Sequence, residues 1–255
     1  MCPYDIEIEA IKNQLIKKYN PLDIILFGSC AKGRVTRSSD VDICIILETD
    51  DKRKRSTAKG RRFCMPVPQA NKKNTYADYL TWPENERWEL IDGVPYLQAA
   101  PTWQHQALSV ALLAQFYNYL SGKACQVFAS PFDLRLPEAN EKDEETTFVV
   151  QPDIVVVCDK EGLKGTGYYG TPTLVIEISS PSTTRNDKIW KFNRYEKAGV
   201  KEYWIVEPDA KFVSVFTLQP NHRYGRPESY TETDKIEVSV FSDLVIDLQP
   251  VFESV

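Results

Sequence analysis

The chain has 255 residues, 42% hydrophobic and 26% charged, an ordinary globular composition with room for one large domain or a medium domain with an appendage. Charge is uneven: residues 1–74 carry 15 Lys/Arg against 9 Asp/Glu, whereas residues 75–255 carry 16 against 27, so the second part cannot draw nucleic acid by its average field. No apolar run approaches the roughly 20 residues of a membrane span, the start "MCPYDIEIEAIKNQ" lacks a signal-peptide pattern, and six scattered cysteines without a CxxC pair favour reduced thiols in a cytoplasmic protein over zinc.

In chain order, "DIEIEAIKNQLIKKY" predicts a helix with a rough apolar stripe of Ile6, Ala10, Ile11 and Ile16. Strands follow at "DIILF" and "VDICIIL". Residues 51–74 lose all apolar periodicity and hold seven basic residues between Lys52 and Arg62, which reads as a linker. From residue 75 onward the pattern is one α/β domain. "ADYLTWPENERWELIDGVPYLQAAP" suggests a short helix, then a hairpin turning at Asp92-Gly93. "TWQHQALSVALLAQFYNYLSG" is a long helix, capped by Thr102 and ended by Gly122. Strands are expected at "CQVFAS", "FDLRLP", "PDIVVVC" and "TLVIEIS", then a helix at "NDKIWKFNRYEKAG", a strand at "EYWIVEP" and a meander through "FVSVFTL", "YGRPESYTE" and "IEVSV". The acidic "EANEKDEETT" reads as a solvated tip. "GTGYYG" (165–170) satisfies GxGxxG but leads into a strand rather than a helix, so it is a flexible glycine loop or lid and not a dinucleotide site.

One apolar strand carries a charge that asks for a partner. Alternation puts Leu174, Ile176 and Ile178 on one face and Val175, Glu177 and Ser179 on the other. A buried carboxylate costs several kcal/mol unless it is paired or bound to a metal. Asp153 opens the strand of Val155 and Val157 after Pro152, which fits only at a strand start. If these strands are neighbours, Asp153 and Glu177 converge on one divalent cation, Mg²⁺ or Mn²⁺, completed by water and phosphate oxygens. Asp187, Lys191 and Tyr195 lie four apart on the following helix, with Ile189 and Phe192 turned toward the core. A lysine beside the metal would orient an attacking water and stabilise charge on a pentavalent phosphorane.

"ERWELIDGVPY" (86–96), "APTWQH" (100–105), "QPDIVVV" (151–157), "PTLVIEISSPST" (172–183) and "NDKIWKFNRYEKAGVKEYWIVEP" (186–208) together resemble the Uma family of restriction endonucleases, a branch of the PD-(D/E)XK nuclease superfamily. The resemblance implies an α/β fold with a restriction-endonuclease-like mixed sheet flanked by helices. It implies DNA as substrate, Asp153 and Glu177 as metal ligands, and dimerisation as a possibility for cutting two strands. The superfamily's lysine stands two residues after the acid; that position is Ser179 here, and the resemblance implies that Lys191 replaces it. Glu89 is a further candidate acid, with an edge-strand charge as its alternative. His105 is a phosphate-binding candidate or a surface or capping histidine, and Asp187 a site residue or a helix N-cap. Tyr203 and Trp204 read as core.

"LFGSCAKGRVTRSSDVDICIIL" (26–47) resembles the minimal nucleotidyltransferases through Gly28, Ser29, Gly33, Asp40 and Asp42. The Gly-Ser turn would hold nucleotide phosphates, and the alternate carboxylates would face two metals. The family needs a third carboxylate beyond Leu47, where the resemblance stops. The expected organisation is therefore a truncated, inactive transferase-like segment (1–50), a basic linker (51–74) and a nuclease-like domain (75–255), with Met65 a natural start for the last. A metal-dependent DNA endonuclease leads; a degenerate nuclease fold used for binding and a nucleotidyltransferase are the alternatives.

Overall fold

The computed structural model describes residues 23–27, 42–46, 73–83, 86–179 and 186–255, with 23–27, 42–46 and 186–188 described by backbone alone. The chain divides into two compact units, Met1–Met65 and Pro66–Val255. In the first, β1 (Asp23–Phe27) and β2 (Asp42–Ile46) pair antiparallel, with Phe27 opposite Asp42. The expected helix before them, Gly28, Ser29, Asp40 and most of the linker lie outside the described residues. Lys73 and Asn74, at the linker's end, belong to the second unit, where the Asn74 amide donates to the Gly93 carbonyl at 3.0 Å.

The second unit begins with α1 (Tyr76–Tyr79) and the hairpin β3 (Trp88–Ile91) and β4 (Val94–Leu97). Its two-residue turn needs positive φ at both positions, and Asp92 (51°) and Gly93 (82°) supply it. The long helix α2 (Trp103–Leu120) starts where the Thr102 side chain accepts from the His105 backbone N–H. Strands β5 (Gln126–Ala129), β6 (Asp133–Arg135), β7 (Val149–Val150), β8 (Ile154–Val157), β9 (Leu163–Lys164), β10 (Gly167–Tyr169) and β11 (Leu174–Ile178) follow. After them come a π-helical stretch (Asn186–Lys191) continuing into α3 (Phe192–Ala198), then β12 (Glu202–Glu207), β13 (Phe212–Thr217), β14 (Glu228–Thr231), β15 (Lys235–Glu237), β16 (Val245–Asp247) and α4 (Gln249–Phe252).

The expected mixed sheet is β14-β13-β12-β11-β8-β5, in which β11 runs parallel to β12 across the α3 crossover and antiparallel to β8. A second six-stranded sheet, β4-β3-β7-β6-β10-β9, adds to what the sequence predicts. Both faces of the first sheet are covered, which is why its strands read as near-continuous apolar runs. On one face Ile154, Val156, Leu174, Ile176, Ile178 and Trp204 pack with Leu108, Leu112 and Phe116 of α2. On the other, Val155, Val157, Val175 and Tyr203 pack with Leu134 and Leu136 from the second sheet and its flank and with Tyr195 of α3.

Four expectations are corrected. The glycine loop 165–170 is no lid: it forms the β9–β10 hairpin, and Gly167 pairs with Asp133 in parallel register. The acidic segment is no solvated tip, because Asp143 pairs with the buried Arg135 (2.6 Å) and Glu138 with Arg194 and Lys197. Ile189 points outward, 47% exposed, whereas Phe192 packs edge-on against Phe216. The cysteines are not all reduced. Gln126 opposes Val157 across β5 and β8, so Cys125 and Cys158 fall opposite one another and form a disulfide.

A Cβ added at Gly167 would sit 2.0 Å from the Asp133 carbonyl oxygen and 2.6 Å from its carbon, so β6 and β10 can approach only without it. Gly167→Ala is expected to destabilise the protein by about 2 kcal/mol, the scale of overpacking against unyielding backbone. Urea unfolding of parent and variant would read this as a lower midpoint at unchanged slope.

Candidate active site

Strand register brings the two carboxylates together. Ile176 opposes Ile154 in the antiparallel β8–β11 pair, so Glu177 falls opposite Asp153 as β8 begins. Pro152 has no N–H to extend the ladder beyond this point. The Asp153 carboxylate instead accepts the backbone N–H of Ile178 at 2.7 Å. Glu177 is 4% exposed and Glu89, from β3, 3% exposed. Between them sits Lys191, 4% exposed, its Nζ 2.9 Å from Glu89 Oε1 and 3.1 Å from Glu177 Oε1. The Tyr195 hydroxyl donates to the same Glu177 oxygen at 2.8 Å. Lys191 and Tyr195, one helical turn apart, thus address one carboxylate from one face.

Glu89 is held on its other sides too. Its Oε1 accepts the Gln151 backbone N–H and its Oε2 the Gln98 amide, both at 3.0 Å. Gln151 is fixed in turn by Arg87 (3.1 Å), Asp133 (3.0 Å) and Tyr79 (3.1 Å), and Asp133 also accepts from the Tyr79 hydroxyl at 2.8 Å and the Thr166 hydroxyl at 2.5 Å. His105 is neither a surface histidine nor a cap. Its Nε2 lies 3.2 Å from Asp153 Oδ2, and its side chain is 15% exposed. Its Nδ1 is buried with no hydrogen-bond partner.

The electrostatics follow from burial and pairing. Burial, reinforced by the Glu177 charge, pushes the Tyr195 phenol well above its ordinary value, so it stays a donor. Burial alone would lower the His105 pKa, but the hydrogen bond and charge of Asp153 outweigh it and raise the value. Among the described side chains, Glu89, Glu177 and Asp153 face one lysine and one histidine, so negative charge exceeds positive there against an apolar sheet. That surplus and the all-oxygen donor pair suit a hard divalent cation such as Mg²⁺, which needs only one or two protein carboxylates. Among the described residues no group of three or more His, Cys, Asp or Glu side chains gathers closely enough to hold a metal unaided. Water or substrate oxygens would complete the shell.

The sequence candidates Asp153, Glu177, Lys191, Glu89 and His105 are therefore neighbours through direct contact, strand register or a shared partner. Asp187 lies in the π-helical stretch, and its side chain is outside the described residues. Gly28, Ser29 and Asp40 fall outside the description, and Asp42 is placed in β2 by backbone alone. Tyr195 is legible in the sequence only as a face-mate of Lys191; Gln98, Gln151 and Tyr79 carry no signal, because distant parts of the chain bring them to the site. No described helix is long and apolar enough to cross a membrane.

Comparison with known proteins matches this unit and the one before it. Residues 76–249 match the family model Uma2, described as "Putative restriction endonuclease". Residues 8–97 match the nucleotidyltransferase domain model, a match that runs past Leu47, where the motif ended, and overlaps the first. A curated relative, "Uncharacterized protein slr1290" of Synechocystis sp., is 34% identical over 142 residues, covering 54% of this chain and 71% of the relative. A solved structure described as a "putative nuclease belonging to DUF820" from Anabaena variabilis superposes with a TM-score of 0.57 at 19% identity, over 71% of this chain and 98% of the other. At that identity the likeness concerns the fold.

Proposed function

The chain belongs to the Uma2 family, and from that premise we propose that it is an endonuclease that hydrolyses DNA phosphodiester bonds with a divalent metal, Mg²⁺ or Mn²⁺. The observation that carries the reading is the buried Glu89–Lys191–Glu177 cluster beside Asp153. Buried ion pairs are weak contributors to stability, and a fold built only to persist gains little from two buried carboxylates sharing one ammonium with a third carboxylate beside them. Asp153 and Glu177 would hold the cation. When bound, it supplies Lewis acidity at the scissile phosphate and a more acidic water.

The chain's own groups do the positioning. His105 and the Ile178 N–H fix the Asp153 carboxylate, and Tyr195 fixes one oxygen of Glu177. Lys191, anchored by Glu89, would orient an attacking water and offset the charge that builds on the phosphate oxygens. Lys191 reaches Glu177 from the following helix rather than from the strand position held by Ser179, and arrives at the same carboxylate.

Calorimetric titration of Mg²⁺ and Mn²⁺ into the full chain, with nicking of supercoiled plasmid on the same samples, tests the reading. Saturable binding with metal-dependent nicking is the expected result. Binding without nicking would favour a degenerate fold that binds only. Absence of both would reduce the cluster to a structural ion network.

A further inference from the structure

Arg87 stands just ahead of β3, and strand alternation puts its side chain on the face of Glu89. It is half-buried, and its guanidinium donates from Nε to the Gln151 side-chain oxygen at 3.1 Å and from Nη2 to the Ser130 hydroxyl. Among the described residues these are the guanidinium's hydrogen-bond partners, and neither carries a charge. The buried arginines are placed differently, Arg135 against Asp143 and Arg194 against Glu138. The carboxylate next along the Arg87 network, Asp133, lies beyond the Gln151 amide and already accepts from Tyr79, Thr166 and Gln151. Two of the guanidinium's five N–H donors are engaged, and Nη1 is neither paired with a described residue nor buried, so it opens to solvent.

Position gives that cation a role. The sheet sets β11, β8 and β5 side by side, and the Ser130 N–H donates to the Asp153 carbonyl just past the β5–β8 pairing. Glu177, Asp153 and Ser130 thus form a row across three neighbouring strands, with steps of about 4.8 Å. Arg87 ends the row, on the side of Asp153 away from Glu177. Its charge is felt at His105, where it counts against protonation. A purely structural role would ask Arg87 only to hold Gln151 in place. A neutral donor could do that without bringing an uncompensated cation to half-burial, so the charge itself calls for an anion.

We propose that Arg87 is a phosphate clamp, holding the oxygens of the phosphate next to the scissile one on the strand bound at Asp153 and Glu177. That choice of anion rests on the nuclease reading. Guanidinium suits it, because a planar fork takes two phosphate oxygens at once and Gln151 and Ser130 fix its plane. Residues 75–255 carry 16 Lys/Arg against 27 Asp/Glu, so DNA must be held there by placed cations rather than by the mean field. A backbone contact of this kind positions the strand and reads no sequence.

Anisotropy of a short labelled duplex, titrated with the full chain in Ca²⁺ across a salt series, tests the clamp. Arg87→Gln is expected to weaken binding about tenfold or more and to flatten the salt dependence by about 0.9, one phosphate's share. Arg87→Lys should keep the slope, because the charge remains. In plasmid nicking with Mg²⁺, Arg87→Gln should raise KM and leave kcat within about threefold, as expected of a contact made equally before and during the reaction. Parental affinity and slope in Arg87→Gln would overturn the proposal. So would equal losses in Arg87→Gln and Arg87→Lys that follow a lower urea midpoint, the mark of a structural role, or a fall in kcat at unchanged KM. The two readings part cleanly. If the slope flattens as described and the parent never nicks DNA, the nuclease reading falls and the phosphate contact stands; if the parent nicks DNA and Arg87→Gln matches it in KM and slope, the reverse holds.

Discussion

Glu177→Gln is expected to lower metal-dependent plasmid nicking by about 10³-fold while leaving the protein at least as stable as its parent. The side-chain shape is kept, and the amide oxygen can still accept from Tyr195 and Lys191 at the positions the carboxylate oxygen uses. What disappears is one buried negative charge. In the parent, Glu89 and Glu177 outnumber Lys191, so the substitution brings that trio to neutrality and removes a desolvation cost. A charge needed to hold a cation is another matter, since loss of one preorganised electrostatic element is worth 10²–10³ in rate or more. Stability and activity should therefore move in opposite directions, the trade expected of a site held in place against its own electrostatic cost. Calorimetry should show weakened Mg²⁺ binding on the same sample. Nicking that survives within tenfold would end the assignment of Glu177 as a ligand. A variant that unfolds more easily would show that the carboxylate serves mainly as an ion-pair partner.

Much of this arrangement is legible because strand alternation is a local rule. Val175 and Glu177 had to share a face, as did Asp153 with Val155, and the β8–β11 register then sets the two acids opposite one another. The Thr102 cap and the Asp92-Gly93 turn are also local, and both hold. What sequence could not carry were contacts between distant segments. His105 looks like the opening of a helix until packing sets it against Asp153, and Cys125 meets Cys158 only once β5 and β8 pair. Gly167 reads as loop because glycine is a common loop residue, yet here it is the one residue that lets a strand approach the Asp133 backbone. Ile189 departs from its expected place for another reason. Residues Asn186–Lys191 wind as a π-helix, so α-helical periodicity gives the wrong phase there.

Lys191→Met is expected to cost about 3–5 kcal/mol of stability, the penalty of leaving buried charge without its counterion, and to reduce nicking by at least about 10²-fold. Methionine matches the length of the lysine stem, so packing is nearly preserved and the effect is electrostatic. Glu89 and Glu177, 3% and 4% exposed, would then face each other with no ammonium between them. The double variant Lys191→Met/Glu89→Gln separates the lysine's two roles. It returns the trio to the parent's net charge, and the side-chain amide oxygen introduced by Glu89→Gln can still accept from the Gln151 N–H. Urea unfolding should therefore recover most of the lost stability. Nicking should not recover, because no ammonium stands beside the phosphate. Were nicking to return with stability, Lys191 would be only the counterion that keeps two acids folded together, and the chemistry would have to be assigned to Asp153, Glu177 and His105 without it. A single variant as stable as the parent would mean that the surrounding hydrogen bonds from Tyr195, Gln98 and Gln151 already suffice to hold both carboxylates.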